Sequence, residues 1–132
     1  MQTTGKGTDI TIGDENLNGT LSAGFLRLIA KMAANNELIK LALKEMHPGV
    51  KEMLQGQDDQ FLLGFVNCAQ YFHDTATVLL VDPISNRYKS NEELSQEDSR
   101  TIRLVSLIDA SAYYCVQLLA DRGYLDVEGG TN

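Results

Sequence analysis

The chain has 132 residues, 18 acidic against 11 basic side chains, and a formal net charge of −7 at pH 7. That length holds one domain able to bury its own core without metal or disulfide staples. The acidic balance, unrelieved by any basic cluster, argues against a nucleic-acid backbone or an anionic membrane surface as partner.

Two cysteines, Cys68 and Cys115, fall inside apolar helical arcs, where free thiols behave as small hydrophobes. A reducing, cytoplasmic setting, or a particle assembled there, is the expectation. No apolar run follows Lys6, so no secretory signal is expected. Asn67, His73 and Asp74, and then Asp109 and Gln117, interrupt the longest apolar stretches, so no membrane span is expected either.

Residues 1–19 are rich in Gly, Thr, Asn and Asp and read as an extended polar arm. Thr8 to Ile12 alternates like a short strand, but two isoleucines bury too little to order a segment alone. A first helix is predicted over about 21–47. Leu21, Phe25, Leu28, Met32, Ile39, Leu43 and Met46 keep one phase across Asn35-Asn36, which favours a single helix of roughly 26 residues. Leu26, Leu38 and Leu41 sit off that stripe, on the side expected to face water, and make a case for a second contact surface. Arg27, Lys31, Lys40 and Lys44 make this the one net-positive helix, suited to an acidic neighbour. His47-Pro48-Gly49 ends it, and a short helix near 49–55 is possible before Gly56.

A second helix is predicted over 58–81, opened by Asp58-Asp59 and closed by Asp82-Pro83. Phe61, Phe65, Cys68, Ala69, Phe72, Ala76, Leu79 and Leu80 share one face, while Leu63, Tyr71, Val78 and Val81 lie on the other, so it is apolar on more than one side. A buried parallel strand over Thr77–Pro83 is the rival reading, but the chain offers no partner strand of like character. Residues 82–94 read as a polar loop longer than a helix pair needs, with Arg87, Tyr88 and Lys89 at its centre. The third helix, about 96–122, is capped by Ser95 and stopped at Gly123. Its apolar arc spans roughly 200°, which requires neighbours on two or three sides. Tyr124 to Glu128 alternates as a short tail.

The fold expected is all-α: an up-down-up bundle of three long helices over residues 20–123, flanked by the arm 1–19 and the tail 124–132. Antiparallel packing of the second and third helices brings His73 to the height of Asp109, and Cys68 to that of Cys115. A histidine oriented by a carboxylate suits general-base work, yet no nucleophile, oxyanion donor or phosphate-binding glycine motif accompanies it, so no catalytic residue is assigned. Zinc needs four closely spaced Cys or His ligands, and the Glu-x-x-His pattern of di-iron bundles is missing, so no metal or cofactor is assigned.

Three functions follow. The first is a non-enzymatic structural or assembly subunit acting through helix-mediated homo-oligomerisation, for instance in a virion or other large particle. It rests on more apolar circumference than three helices can cover, with terminal arms that could bridge neighbours. The interface candidates are Leu26, Leu38, Leu41, Leu63, Tyr71, Val78, Arg87, Tyr88, Lys89 and Tyr113. The second is a small acidic adaptor or inhibitor that blocks another protein. The third is an enzyme using His73 with Asp109.

Overall fold

A computed structural model describes residues 9–13, 17–88 and 93–125; Lys89, the glycine-rich N-terminus and the end of the tail lie outside the described residues. The chain is mainly helical with a small two-stranded sheet.

The sheet begins in the segment read as an extended arm and runs on into the residues read as the start of the first helix. Strand β1 (Asp9–Gly13) pairs antiparallel with β2 (Asn18–Ser22), Ile10 opposite Leu21 and Ile12 opposite Gly19. The two isoleucines do not act alone. Leu17 and Leu21, the latter assigned from the sequence to the first helix, join Ile12 in the main core and supply the apolar area that the hairpin needs. The hairpin is docked by side chains of helix α4 (Asp59–Ala76). Gln60 exchanges two hydrogen bonds with the Asn18 backbone, at 3.1 and 2.9 Å, and Asn67 Nδ2 donates to the Thr20 carbonyl at 3.0 Å. These amides satisfy backbone groups that an uncovered edge strand leaves open. Contact is close enough that a Cβ at Gly19 would run into the Leu63 side chain.

The long first helix is two helices, α1 (Ala23–Asn35) and α2 (Glu37–Lys44), with Asn36 extended between them at φ −93°, ψ 118°. Phase alone misled here. The Asn36 Oδ1 accepts from Leu38 N at 2.9 Å and Ile39 N at 3.1 Å, which offers the backbone an alternative to the helical ladder at that point. The apolar phase survives the break because α1 and α2 both pack on the same long helix, α6 (Gln96–Asp121). Helix α3 (Pro48–Gln55) starts with proline at its first position and a His47 Nδ1 that accepts from Gly49 N at 2.9 Å.

Helix α4 does not stop before Asp82-Pro83. It runs through a π-helical turn, Thr77–Val81, into α5 (Asp82–Arg87), so the predicted loop begins as helix. Pro83 falls where the backbone leaves the π-helical turn, Asp82 N donating back to the Thr77 carbonyl, so its missing N–H interrupts a ladder that is already out of α-helical register. Capping at the other helix starts follows the sequence: Asp58 Oδ1 accepts from Phe61 N at 2.8 Å, and Ser95 Oγ from Asp98 N at 3.1 Å. Gly123, at φ 92°, ends α6 in the left-handed conformation that glycine adopts without cost.

Helix α6 is the axis of the fold, contacted by α1, α2 and α4. By length and composition it is apolar enough to cross a membrane, with a mean hydropathy of 1.3 over its best window despite Asp109 and Gln117; 44% of that window is buried inside the protein. A central core helix has the same composition, because it too is covered on several sides. The main core joins Leu21, Phe25 and Ile29 to Leu62, Val66, Cys115, Val116 and Leu119, and a smaller cluster joins Ile39 and Met46 to Ala110.

Candidate functional site

Helix α3 leans on the C-terminal half of α6. There Gln55 Nε2 donates to Tyr114 Oη at 2.6 Å and Lys51 Nζ lies 5.9 Å from the centre of the Tyr114 ring. Toward the N-terminal end of α6 the cover thins, so Leu104 and Leu107, which the helical wheel assigns to the buried arc, are exposed. Between this half of α6 and the α2–α3 corner lies an open groove of about 500 Å³. Its walls are apolar: Leu38, Leu41 and Ala42 from α2, Val50 from α3, and Leu107 from α6. Leu41 keeps 47% of its surface exposed and Leu107 44%. Arg103, Glu45 and His47 bring polar groups, and the buried Ser106 and Ser111 complete the lining. Ser111 Oγ donates to the Leu107 carbonyl at 2.9 Å, so its hydroxyl is already partnered.

The interface candidates separate by position. Leu38 and Leu41 line the groove, and Tyr71 and Val78 project from α4 and the π turn, Tyr71 with 78% of its surface exposed. Leu26 and Tyr113 are half-buried against the main core, and Leu63 is inside it beneath the hairpin, so it offers no surface. The hairpin, invisible while residues 1–19 are read as an arm, is what covers Leu63.

Arg87 and Tyr88 are spent on the chain itself. Arg87 Nη2 donates to both carboxylate oxygens of Asp98 at 2.8 Å, and Tyr88 Oη donates to Asp98 at 2.6 Å while accepting from Ser95 N at 3.0 Å. The Tyr88 and Arg87 hydrogen bonds hold the Asp98 carboxyl below its usual range. This clamp fastens the end of α5 to the first turn of α6. A comparable joint closes the other pole. Arg122 donates to the carbonyls of Gln57 and Gln55 at 3.1 and 2.9 Å and pairs with Asp59, which also accepts from Tyr124 Oη at 2.7 Å. Asp59 is correspondingly lowered, chiefly by Tyr124 and then by Arg122.

His73 and Asp109 meet as antiparallel packing requires, Nδ1 lying 3.0 Å from Oδ2 and 3.2 Å from Oδ1. The Asp109 side chain is only 4% exposed. Its hydrogen bond raises the His73 pKa, with burial pulling the other way. The Phe25 ring sits 5.9 Å from the imidazole, and Thr77 Oγ1 donates to the His73 carbonyl at 2.8 Å. Neither residue lines the groove. The pair ties α4 to α6 from within the core.

The two cysteines part company. Cys115 is buried, which pushes its thiol up to about 12, whereas Cys68, expected in an apolar arc, is exposed on the outside of α4. Both are free. Among the described residues no three His, Cys, Asp or Glu side chains gather where a metal ion would sit. Comparison of the chain with protein-family models, with curated proteins and with solved structures found no match to any of them.

Proposed function

We propose that this chain is a non-enzymatic assembly subunit that acts by helix-mediated association with further copies of itself, at the groove between α2, α3 and α6. The observation that carries the reading is the clustering of Leu38, Leu41, Val50 and Leu107, all large, apolar and exposed, around one concavity. Scattered surface leucines need no explanation, but a contiguous apolar concavity of this size is characteristic of a contact surface. The up-down-up course inferred for the three helical spans, α1 with α2, α4 and α6, provides the rigid frame on which such a surface is presented. A reducing, cytoplasmic setting, or a particle assembled there, suits two free thiols.

Light scattering on the purified chain tests the reading. An oligomer is expected at micromolar concentration, and Leu38→Glu with Leu41→Glu is expected to reduce its mass while leaving the helical circular dichroism unchanged, since neither leucine belongs to a core cluster. A monomer at every concentration sinks the proposal. Association untouched by the double substitution removes this groove from it.

A further inference from the structure

Helix α4 carries a second apolar face, on the side turned away from α6. Phe61, Phe65, Cys68, Phe72 and Thr75 recur at alternating steps of four and three, the repeat that keeps a seam on one side of a helix packed against another. Parallel to it runs the seam that this protomer does bury, Leu62, Val66, Ala69 and Ala76. The outer seam is exposed at Phe61, Cys68 and Thr75 and half-buried at Phe65 and Phe72. With Gly64 and Tyr71, all seven positions within about 60° of Cys68 on the helical wheel are uncharged.

We propose that two copies of this chain pair through this face, α4 antiparallel to α4, on a two-fold axis passing beside Cys68. Two observations single out a second copy as the occupant. The first is size. Rotation about an axis at Cys68 sets Phe61 of one copy against Thr75 of the other, and Phe72 against Gly64, so these two rings each meet a small residue in both directions, as an isologous contact allows, while Phe65 falls opposite Tyr71 as an aromatic pair. The space at Gly64 is open, because a Cβ added there meets nothing within 4 Å. The second is charge. A chain of net charge −7 repels its own copy, and a face without carboxylates is where that repulsion is least; a basic partner would be recognised by carboxylates, and this face has none from Phe61 to Thr75.

The proposal rests on the reading that the chain self-associates, and it adds a contact distinct from the α2–α6 groove. A two-fold pair at α4 together with a second self-contact on another helix pair builds assemblies larger than a dimer. Gly64→Leu is the discriminating substitution. It removes a helix-interior glycine and fills open space, so the protomer is expected to melt no earlier than the wild type. At the same time it occupies the position that receives Phe72, and the dimer dissociation constant is expected to rise roughly 30-fold or more.

Sedimentation of four proteins gives the test: wild type, Gly64→Leu, Leu38→Glu/Leu41→Glu, and the three substitutions together. Expected is a wild-type assembly that falls to a dimer in each of the two single-face variants and to a monomer when both faces are altered. Mild oxidation is expected to link Cys68 to Cys68 in the wild type and in Leu38→Glu/Leu41→Glu, and not in Gly64→Leu. In a Cys68→Ser background, Phe61→Cys is expected to cross-link with Thr75→Cys on another copy and neither with itself, because the helices run in opposite directions. An assembly that sediments unchanged with Gly64→Leu overturns the α4 pairing and leaves the groove reading standing. Self-linking of Phe61→Cys or of Thr75→Cys overturns the antiparallel geometry. A wild-type monomer overturns both readings.

Discussion

Removing His73 is expected to cost more than removing the charge of Asp109, although each change breaks the same bond. The two side chains meet at 3.0 Å, with Asp109 4% exposed and His73 15%. Asp109→Asn leaves a neutral amide facing an imidazole that can shed its proton, so the loss is that of one charge-assisted hydrogen bond, about 1–2 kcal/mol. His73→Phe keeps the ring's shape but strands a carboxylate in the core with no other side-chain partner among the described residues, and the cost rises to about 3–4 kcal/mol. Adding Asp109→Leu to His73→Phe is expected to recover part of that loss, because a buried ion pair replaced by apolar groups of similar size is often neutral.

The same pair sets a pH dependence. The His73 pKa is raised from its ordinary 6.5 by Asp109. Its stabilising contribution is therefore complete below pH 6.5 and fades as the pH climbs through the raised folded value. Asp109→Asn is expected to lose the wild type's decline above pH 6.5. Chemical denaturation followed by circular dichroism between about pH 5 and 8 measures all of this. Equal losses for His73→Phe and Asp109→Asn at about pH 7, to within about 0.5 kcal/mol, would refute the claim that the carboxylate is desolvated.

Three further outcomes are expected. Gly19→Ala drives a methyl group into Leu63 and is expected to lose about 1–3 kcal/mol, whereas Gly64→Ala meets nothing and is expected to gain about 0.5–1 kcal/mol, both read from denaturant midpoints. Asn36→Ala removes the cap of α2 and is expected to cost about 1 kcal/mol in the same assay. Toward a soluble alkylating reagent, Cys68 is expected to react in the native protein and Cys115 only on unfolding, followed by mass spectrometry, since Cys115 is buried and its thiolate is disfavoured.

The periodic parts of the fold are legible in the sequence. Ser95 and Gly123 bound α6 within a residue or two, Asp58 opens α4, and antiparallel packing of those helices puts His73 opposite Asp109 on residue heights alone. What the pattern misses depends on contacts distant in sequence. Ile10 and Ile12 look too few to form a strand until Leu17 and Leu21 join them and α4 supplies Gln60 and Asn67 to hold the hairpin. Asn36 interrupts a helix whose apolar phase runs on unbroken, because phase records which side faces α6 and not whether the backbone ladder is continuous. The groove is half legible. Leu38 and Leu41 stand off the stripe of their own helix, but Leu107 belongs to the edge of the apolar arc of α6, and only the placement of α3 along α6 decides which end of that helix is covered. Tyr88 and Arg87 look like free loop residues, yet Asp98, ten and eleven positions later, takes both.

The Arg122–Tyr124 joint has a consequence for how the chain matures. Arg122 holds the carbonyls of Gln55 and Gln57, and Tyr124 holds Asp59, across separations of 65 to 67 residues. On a ribosome the corner between α3 and α4 is synthesised long before the side chains that lock it emerge. It stays unlatched for the several seconds that translation of those intervening residues takes. Chains stalled just short of Arg122 would carry α4 with that corner open, a species that proteases and chaperones meet and the finished protein never displays.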